Sequence, residues 1–595
     1  MKAVIDILED RISAAMAAVT GRRDSPAIVR PSTDPKFGDY QANGVMALAK
    51  ELKTDPRKLA EKVVKNLDVD DICEPPEIAG PGFINLRLKA DFLADRLLEI
   101  NKDSENRLSI EKDSQPKTIV VDFSCPNIAK RMHVGHLRST IIGDCICRIL
   151  EFFGHTVIRQ NHIGDWGLQM GMVAFAVWEF EFEKSSEEDV KELVQDVDLD
   201  TLENHYKTVV RLEKEDPKIA EGVREFTAKL HAGSGFVRVL WEHACDITLR
   251  ECYQLYDQLG VNLKEEHIRG ESFYKDNLPK VIEELGKTGL AKESEGAICV
   301  FPPGFKNKEG QPLPFIVQKS DGAYLYATTD LAALRYRVDK LKADRIVYVT
   351  DARQSLHFQM LFVVGRMAGW AKDKTELIHV AFGSVLGEDG RPLKTREGEN
   401  VKLKELLTEA VERAKTVVEE KNPDLPVDKK AEIAEAVGIG AVKYADYSNN
   451  RTSDYVFSFD KMLAMDGNTA PYMQYAYARI KSIERKAAEK NIKVERELKA
   501  ITDLSLTEPA ELDLAKYLVR YGEAIETAAA DYRPNYLTSY LYELAQKFSA
   551  FYTNCPVLDA EPDKRPTRLL LCDLTAKIIK HGLSELLGIK VVEQM

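Results

Sequence analysis

The sequence predicts an α/β protein: a parallel β-sheet at its centre, an α+β domain before it and an α-helical bundle after it. Three observations carry that class. At 595 residues the chain is too long for one hydrophobic core and calls for three or four domains. Apolar, β-branched runs alternate with helical periodicity twice. Thr118–Phe123, the Leu137–Phe153 periodicity and Thr156–Arg159 make one βαβ half, and Arg345–Val349, Leu356–Met367 and Leu377–Phe382 make a second. Such runs suit strands buried on both faces of a Rossmann-like parallel sheet. Residues 461–595 alternate amphipathic helices with short loops, the pattern of a bundle.

Taken in order, residues 1–105 open on an amphipathic helix with Val4, Ile5, Leu8 and Ile12 on one face. Its acidic residues argue against a signal or transit peptide. The region closes on a strand-like Gly82–Leu88, and the polar Asn101–Gln115 reads as a linker. The sheet domain spans 116–405. Its first strand runs into a polar Ser124-Cys125-Pro126-Asn127 loop and then His133-Val134-Gly135-His136. Leu137, Ile141, Ile142, Ile146, Ile149, Leu150 and Phe153 follow at helical spacing, and Gly154 supplies the stop. A charged helical insertion occupies about 178–293. Its acidic runs, Glu187-Glu188-Asp189 and Asp196–Asp200, read as solvated helix surface. Residues 406–460 form a helical connector, and 461–595 the bundle.

Composition narrows the class further. With 44% hydrophobic and 30% charged residues the chain is soluble in character, and no apolar run approaches the ~18 residues of a membrane span. Nine cysteines without a paired CxxC suggest reduced, mostly buried thiols and a cytoplasmic setting. A net charge of −13 means that any nucleic acid must be met by local basic patches on an acidic body.

The His133–His136 element sits where the first strand turns into its helix, the edge at which open α/β sheets bind ligands. Free N–H groups and the positive dipole end suit phosphate there. Two imidazoles three residues apart face the same ligand. One donor aimed at charge developing in a transition state can be worth ~3 kcal/mol. Gly135 lets a flat group such as adenine approach the backbone. A zinc site would need further ligands at suitable spacing, and none is near, so no metal site is expected.

These residues resemble a known family. His133-Val134-Gly135-His136 is similar to the His-Ile-Gly-His signature of class I aminoacyl-tRNA synthetases. Pro126-Asn127-Ile128-Ala129-Lys130 before it, Leu137–Asp144 after it and Gly164-Asp165-Trp166-Gly167 resemble the arginyl-tRNA synthetases in particular. The resemblance runs over nearly the full length. It implies an arginine–tRNA ligase that uses ATP with Mg2+ held mainly by the ATP phosphates, and L-arginine and tRNA(Arg) as partners. A cytoplasmic monomer without membrane contact is expected, and tRNA is expected to bind before arginine is activated.

The resemblance also implies site residues. Tyr326, Asp330 and Gln354 match positions that hold the arginine side chain. A guanidinium is planar and permanently charged, so it demands a carboxylate and further acceptors. The plainer reading of Asp330 is a cap on a helix starting near Leu331. Asp122, Ser124 and Asn127 match contacts to the α-amino and carboxylate groups; Asp122 can pair the ammonium while Asn127 donates to the carboxylate. The second class I signature, Lys-Met-Ser-Lys-Ser, departs from its usual form. Its place reads Pro392-Leu393-Lys394-Thr395-Arg396-Glu397-Gly398, with Pro392 and Thr395 at the lysine positions. Lys130 is expected to compensate, with Lys394, Thr395 and Arg396 forming the ATP loop. His133, His136, Lys130 and Gly135 form the catalytic set. Phe37 and Gln41 lie in a stretch similar to the N-terminal domain that reads the tRNA elbow. Asn468–Ile480 resembles the helical anticodon-binding domain, where Tyr472 and Tyr475 can stack on splayed bases. Tyr477 reads as core, and Met595 is a further tRNA contact. Another class I adenylating enzyme or a silent tRNA-binding paralogue are the alternatives; the intact His133, His136 and Asp330 argue against the latter.

Overall fold

The structure, a computed structural model, describes residues 1–182, 192–233, 235–394 and 399–595. Two compact units emerge. One comprises Met1–Lys112, Ala464–Leu586 and Lys590–Met595; the other comprises Asp113–Leu463 and Leu587–Ile589.

The first unit opens on the helix Val4–Thr20, which buries Val4, Leu8, Ile12 and Met16 and ends on Gly21 at φ 73°. Its small sheet consists of β1 (Val29–Pro31), β2 (Tyr40–Ala42), β3 (Glu77–Ala79) and β4 (Phe83–Leu86), antiparallel in the order β1-β2-β4-β3. Helices Ala470–Glu489, Pro509–Leu518, Tyr521–Asp531, Pro534–Asn554 and Arg565–Lys580 belong to the same unit. Its halves are joined by polar contacts of very long range. The buried Tyr40 hydroxyl donates to Glu523 Oε1 at 2.6 Å, and the Ile5 N–H donates to the same oxygen at 3.1 Å.

The second unit is built on β5 (Thr118–Asp122), β6 (Thr156–Gln160), β7 (Lys292–Ser294), β8 (Ala297–Val300), β9 (Phe315–Gln318), β10 (Arg345–Asp351) and β11 (Glu376–Phe382). Four of these form a parallel sheet in the order β11-β10-β5-β6. Strands β7, β8 and β9 make a separate antiparallel sheet. Each strand expected for the parallel sheet is present, with ends moved by one or two residues. The order places β5 and β10 at the centre, so the loop after β5 opens mid-sheet at the carboxyl edge. The helix Val134–Phe152 follows that loop and buries Leu137, Ile141, Ile142, Ile146, Ile149 and Leu150. It lies tightly against the sheet at Gly143, where a Cβ would fall 2.3 Å from the Phe123 ring. The charged stretch after Val177 is helical in its described part, with helices Leu199–Leu212, Pro217–Ala232 and Gly235–Leu259 packed round a core of Val209, Val223, Leu230 and Leu240. Glu187-Glu188-Asp189 lies outside the described residues. All nine cysteines are free thiols, and no described helix is long and apolar enough to cross a membrane.

Candidate active site at the carboxyl edge of the parallel sheet

The loop from β5 to the helix at Val134 is held by neighbours rather than by its own regularity. Ser124, Cys125 and Ala129 take φ values of 75°, 50° and 60°, the left-handed region that non-glycine residues avoid. Such geometry persists only where the surroundings impose it, and it gathers at functional sites. Here the Ile128 N–H donates to Gly164 O at 3.0 Å and the Gly164 N–H to Pro126 O at 3.0 Å. The Cys125 N–H reaches Asn161 Oδ1 at 3.0 Å, and the Ala129 N–H reaches Thr248 Oγ1 at 3.1 Å.

His133 is the N-cap of the helix. Its Nδ1 accepts from the Gly135 N–H at 3.0 Å, while His136 Nδ1 accepts from the His133 N–H at 3.1 Å, which closes a capping box. The two rings lie 4.0 Å apart between centroids. A nitrogen that accepts from a backbone N–H carries no proton, so in each neutral ring the hydrogen is on Nε2. Burial pushes the His136 imidazole down to about 3, with His133 and Lys130 adding like charge; burial and Lys130 lower His133 too. Both rings are therefore neutral near pH 7 and each presents one Nε2–H donor. Gly135 is required by this arrangement, because a Cβ there would sit 2.8 Å from His133 Cε1.

Lys130 lies beside this pair with its Nζ 4.0 Å from the centroid of the Tyr206 ring, on the helix Leu199–Leu212. The same helix reaches both flanks of the site. Asp200 pairs Arg131 at 2.9 Å, and Lys207 pairs Glu399 at 2.9 Å. Backbone bonds from Val134 N–H to Val401 O (3.0 Å) and from Leu403 N–H to Met132 O (2.9 Å) clip the segment after Glu399 to the histidine element. Lys394 is exposed; Thr395 and Arg396 lie outside the described residues.

Beneath the loop, Asp122 is buried and its carboxylate accepts from Arg337 at 2.7 Å; Arg337 also donates to Gln160 Oε1 at 2.6 Å. Asp122 thus shares in a buried ion pair through Oδ2. Ser124 Oγ lies 2.7 Å from the Tyr256 hydroxyl and accepts from Thr140 Oγ1 at 2.9 Å. A cleft of about 600 Å³ opens next to these groups, lined by Asn127, Trp166, Glu271, Tyr324, Tyr326 and Thr329 among others. Burial first, and then the charges of Asp165 and Asp330, raise the Glu271 carboxyl to about 8. A cation bound there would favour its ionised form.

Asp330 sits inside the helix Tyr326–Asp339, whose N-cap is Leu325, so it is not a cap and that reading is discarded. Its Oδ2 accepts from His357 Nε2 at 2.7 Å, and its Oδ1 lies 3.9 Å from His162 Nε2. The exposed Tyr326 ring is 5.0 Å from the His357 ring, and Gln354 is exposed three residues before that histidine. Sequence reasoning missed His162, Glu271, Arg337 and His357. A signal existed for two of them: His162 stands two residues past the carboxyl end of β6, and His357 stands in the first turn of the helix Ser355–Met367 after β10.

The residues expected to meet RNA lie in the first unit. Phe37 is exposed under Lys36 Nζ, 4.7 Å from the ring centroid, whereas the Gln41 amide donates to Asn85 Oδ1 at 2.8 Å. Tyr475 is exposed, Tyr472 half-buried against Tyr542 and Tyr477 buried; Met595 is half-buried.

Comparison with known proteins places this geometry. Residues 100–459 match the model of the class I (R) tRNA synthetase catalytic domain, 473–595 the DALR anticodon-binding domain and 6–88 the arginyl tRNA synthetase N-terminal domain. The chain is 50% identical to an arginine–tRNA ligase of Synechococcus sp. over the whole of both chains. It is 49% identical to that of Hahella chejuensis over 99% of each. It superposes over its full length on the crystal structure of Plasmodium falciparum arginyl-tRNA synthetase (TM-score 0.83, 31% identity) and on Thermus thermophilus arginyl-tRNA synthetase (TM-score 0.81, 26% identity).

Proposed function

Because the chain belongs to the arginyl-tRNA synthetase family, we propose that the residues gathered at the carboxyl edge of its sheet divide the work of arginine activation and transfer. The activity itself is that of the family: an ATP-dependent ligase that charges tRNA with arginine. In this reading an oxygen of the arginine carboxylate attacks the α-phosphorus of ATP, the bond to the β-phosphate oxygen breaks, and pyrophosphate leaves with the bonding pair. Arginyl-adenylate remains. The 2′-hydroxyl of the terminal ribose of tRNA(Arg) then attacks its carbonyl, and AMP departs. Mg2+ would come bound to the ATP phosphates and would neutralise charge on the leaving pyrophosphate.

The observation that carries this reading is the pair of neutral imidazoles whose Nδ1 atoms are consumed by the helix N-terminus. Their Nε2–H donors meet charge growing on phosphate oxygens without protonation of the rings. Lys130 supplies the cation missing at Thr395, the second lysine position of the degenerate Pro392–Gly398 loop. Lys394, Thr395 and Arg396 remain secondary contacts to the triphosphate. Asn127 and Glu271, both lining the cleft, take the carboxylate and the ammonium of arginine, with Asp122 and Ser124 fixing the loop beneath. Asp330, Tyr326 and Gln354 take the guanidinium. Tyr475, Tyr472 and Met595 take the anticodon side of the tRNA, and Phe37 and Gln41 its elbow. The protein works as a cytoplasmic monomer.

The test is ATP–pyrophosphate exchange across the amino acids, with and without tRNA, on the intact protein and on Asp330→Asn. Arginine alone should support exchange. Losing one partner of a buried charged pair costs ~3–5 kcal/mol, so Asp330→Asn should lower arginine use by roughly two to four orders of magnitude. Citrulline, neutral and of similar shape, should lose much less. Normal arginine kinetics in Asp330→Asn would overturn the pocket.

A further inference from the structure

Asp330 carries two histidines, and their donor and acceptor roles follow from their other partners. The His357 ring is enclosed by aromatic rings: Phe315 stacked at 5.6 Å, Phe358 edge-on at 5.3 Å and Tyr326 tilted at 5.0 Å. Its Nε2 is directed at Asp330 Oδ2, 2.7 Å away, and a carboxylate accepts, so Nε2 carries the proton. His162 is oriented the opposite way. Its Nδ1 lies 3.0 Å from the Arg269 carbonyl, which can only accept, so Nδ1 is the protonated nitrogen. In its singly protonated form the ring therefore turns a bare Nε2 toward Asp330 Oδ1, 3.9 Å away. In that form the nitrogen and the oxygen are two acceptors 3.9 Å apart.

We infer that His357 and His162 are specificity-determining residues of the arginine site, resting on the reading that Asp330 takes the guanidinium. His357 is a positioning residue. Its N–H occupies Oδ2 and stops rotation of the carboxylate, which leaves Oδ1 presented to the ligand. His162 supplies the second acceptor, its Nε2 lone pair, for a neighbouring N–H of the guanidinium. A planar fork of donors needs acceptors at a matching spacing, which a carboxylate free to rotate on a helix does not keep. An ammonium is a compact point donor and gains far less from such a seat. A lysine side chain should therefore be excluded by geometry as well as by length.

The experiment measures aminoacylation by the full-length protein, with KM for L-arginine and for ATP and kcat taken separately. His357→Phe keeps the packing and removes the donor. His357→Gln returns an N–H donor on the side-chain amide. His162→Phe removes the acceptor, and His162→Gln returns one as the amide oxygen. Each Phe variant should raise the arginine KM about tenfold or more, as the loss of one hydrogen bond to a charged group does, with kcat and the ATP KM within about twofold. The Gln variants should recover most of the loss. Unchanged arginine KM in both Phe variants, alongside a crippled Asp330→Asn, would overturn the roles of the histidines and leave the Asp330 assignment standing. Normal kinetics in Asp330→Asn would remove that assignment and this inference together. A parallel fall in kcat and in ATP affinity, with no recovery by glutamine, would show that the rings only support the fold and would also overturn the inference.

Discussion

His133 does two jobs with two nitrogens, and a substitution can separate them. Its Nδ1 caps the helix, and in the proposed activation step its Nε2–H is the donor to phosphate. His133→Asn keeps an oxygen that caps well but has nothing at the Nε2 position. Stability should stay within about 0.5 kcal/mol, while single-turnover adenylation falls about a hundredfold, the usual cost of a lost transition-state donor. A loss of stability matching the loss of rate would reassign the residue to the fold. Glu271 makes a prediction about pH. Its carboxyl is raised to about 8 in the folded chain against an ordinary value of 4.5. Between those values the folded state holds a proton that the unfolded state has lost, so stability without ligand should fall as pH rises through that window. Glu271→Gln should flatten that slope and stabilise the unliganded protein at pH 8 by on the order of 2 kcal/mol, while arginine binding weakens. Denaturant melts at pH 5 and pH 8 read it directly. Single residues such as His133 were legible in the sequence because their neighbours along the chain make a motif. Arg337 was not, because its partner Asp122 is 215 residues away and only the sheet edge brings them together.

The elements of the parallel sheet were legible because burial on both faces writes a continuous apolar run, as in the strand at Thr118. The helix Leu199–Leu212 shows what periodicity leaves out. Its sequence reads as a solvated, charged face, yet Asp200, Tyr206 and Lys207 on that face touch Arg131, Lys130 and Glu399. Surface charge and site charge have the same composition; only their placement differs. This helix explains why Lys130 should matter more than Lys394. Lys130 is held against Tyr206 beside the histidines, whereas Lys394 is exposed. Lys130→Ala should cost at least about tenfold more adenylation activity than Lys394→Ala, and the reverse order in single-turnover assays would return the role to the loop. The close approach at Gly143 makes a separate prediction. Gly143→Ala puts a methyl 2.3 Å from the Phe123 ring, so helix and strand must part. A loss of about 1–3 kcal/mol is expected in denaturant unfolding, the ordinary cost of overpacking.

For the whole molecule, the chain passes through the first unit, builds the second, and returns. Tyr40 and Glu523 sit at the junction of the two passes in the first unit. Tyr40→Phe removes the hydroxyl and leaves a buried carboxylate short of one donor. It should cost about 1–3 kcal/mol in calorimetry while the KM for arginine stays unchanged, because no site residue of the second unit is touched. A shift in that KM would contradict the division. The division was legible only as a list of segments: composition separates 1–105 from 461–595 in sequence, and nothing in either stretch says that they share a core. The order of synthesis turns this geometry into a waiting time. Tyr40 precedes its partner by 483 residues. At about 5–20 residues per second on the ribosome, the first half of the unit stays unfinished for roughly half a minute to a minute and a half. Through that interval the helix Val4–Thr20 and its small sheet lack the surface they are shaped for, and a slowed ribosome would lengthen their exposure to chaperones and proteases.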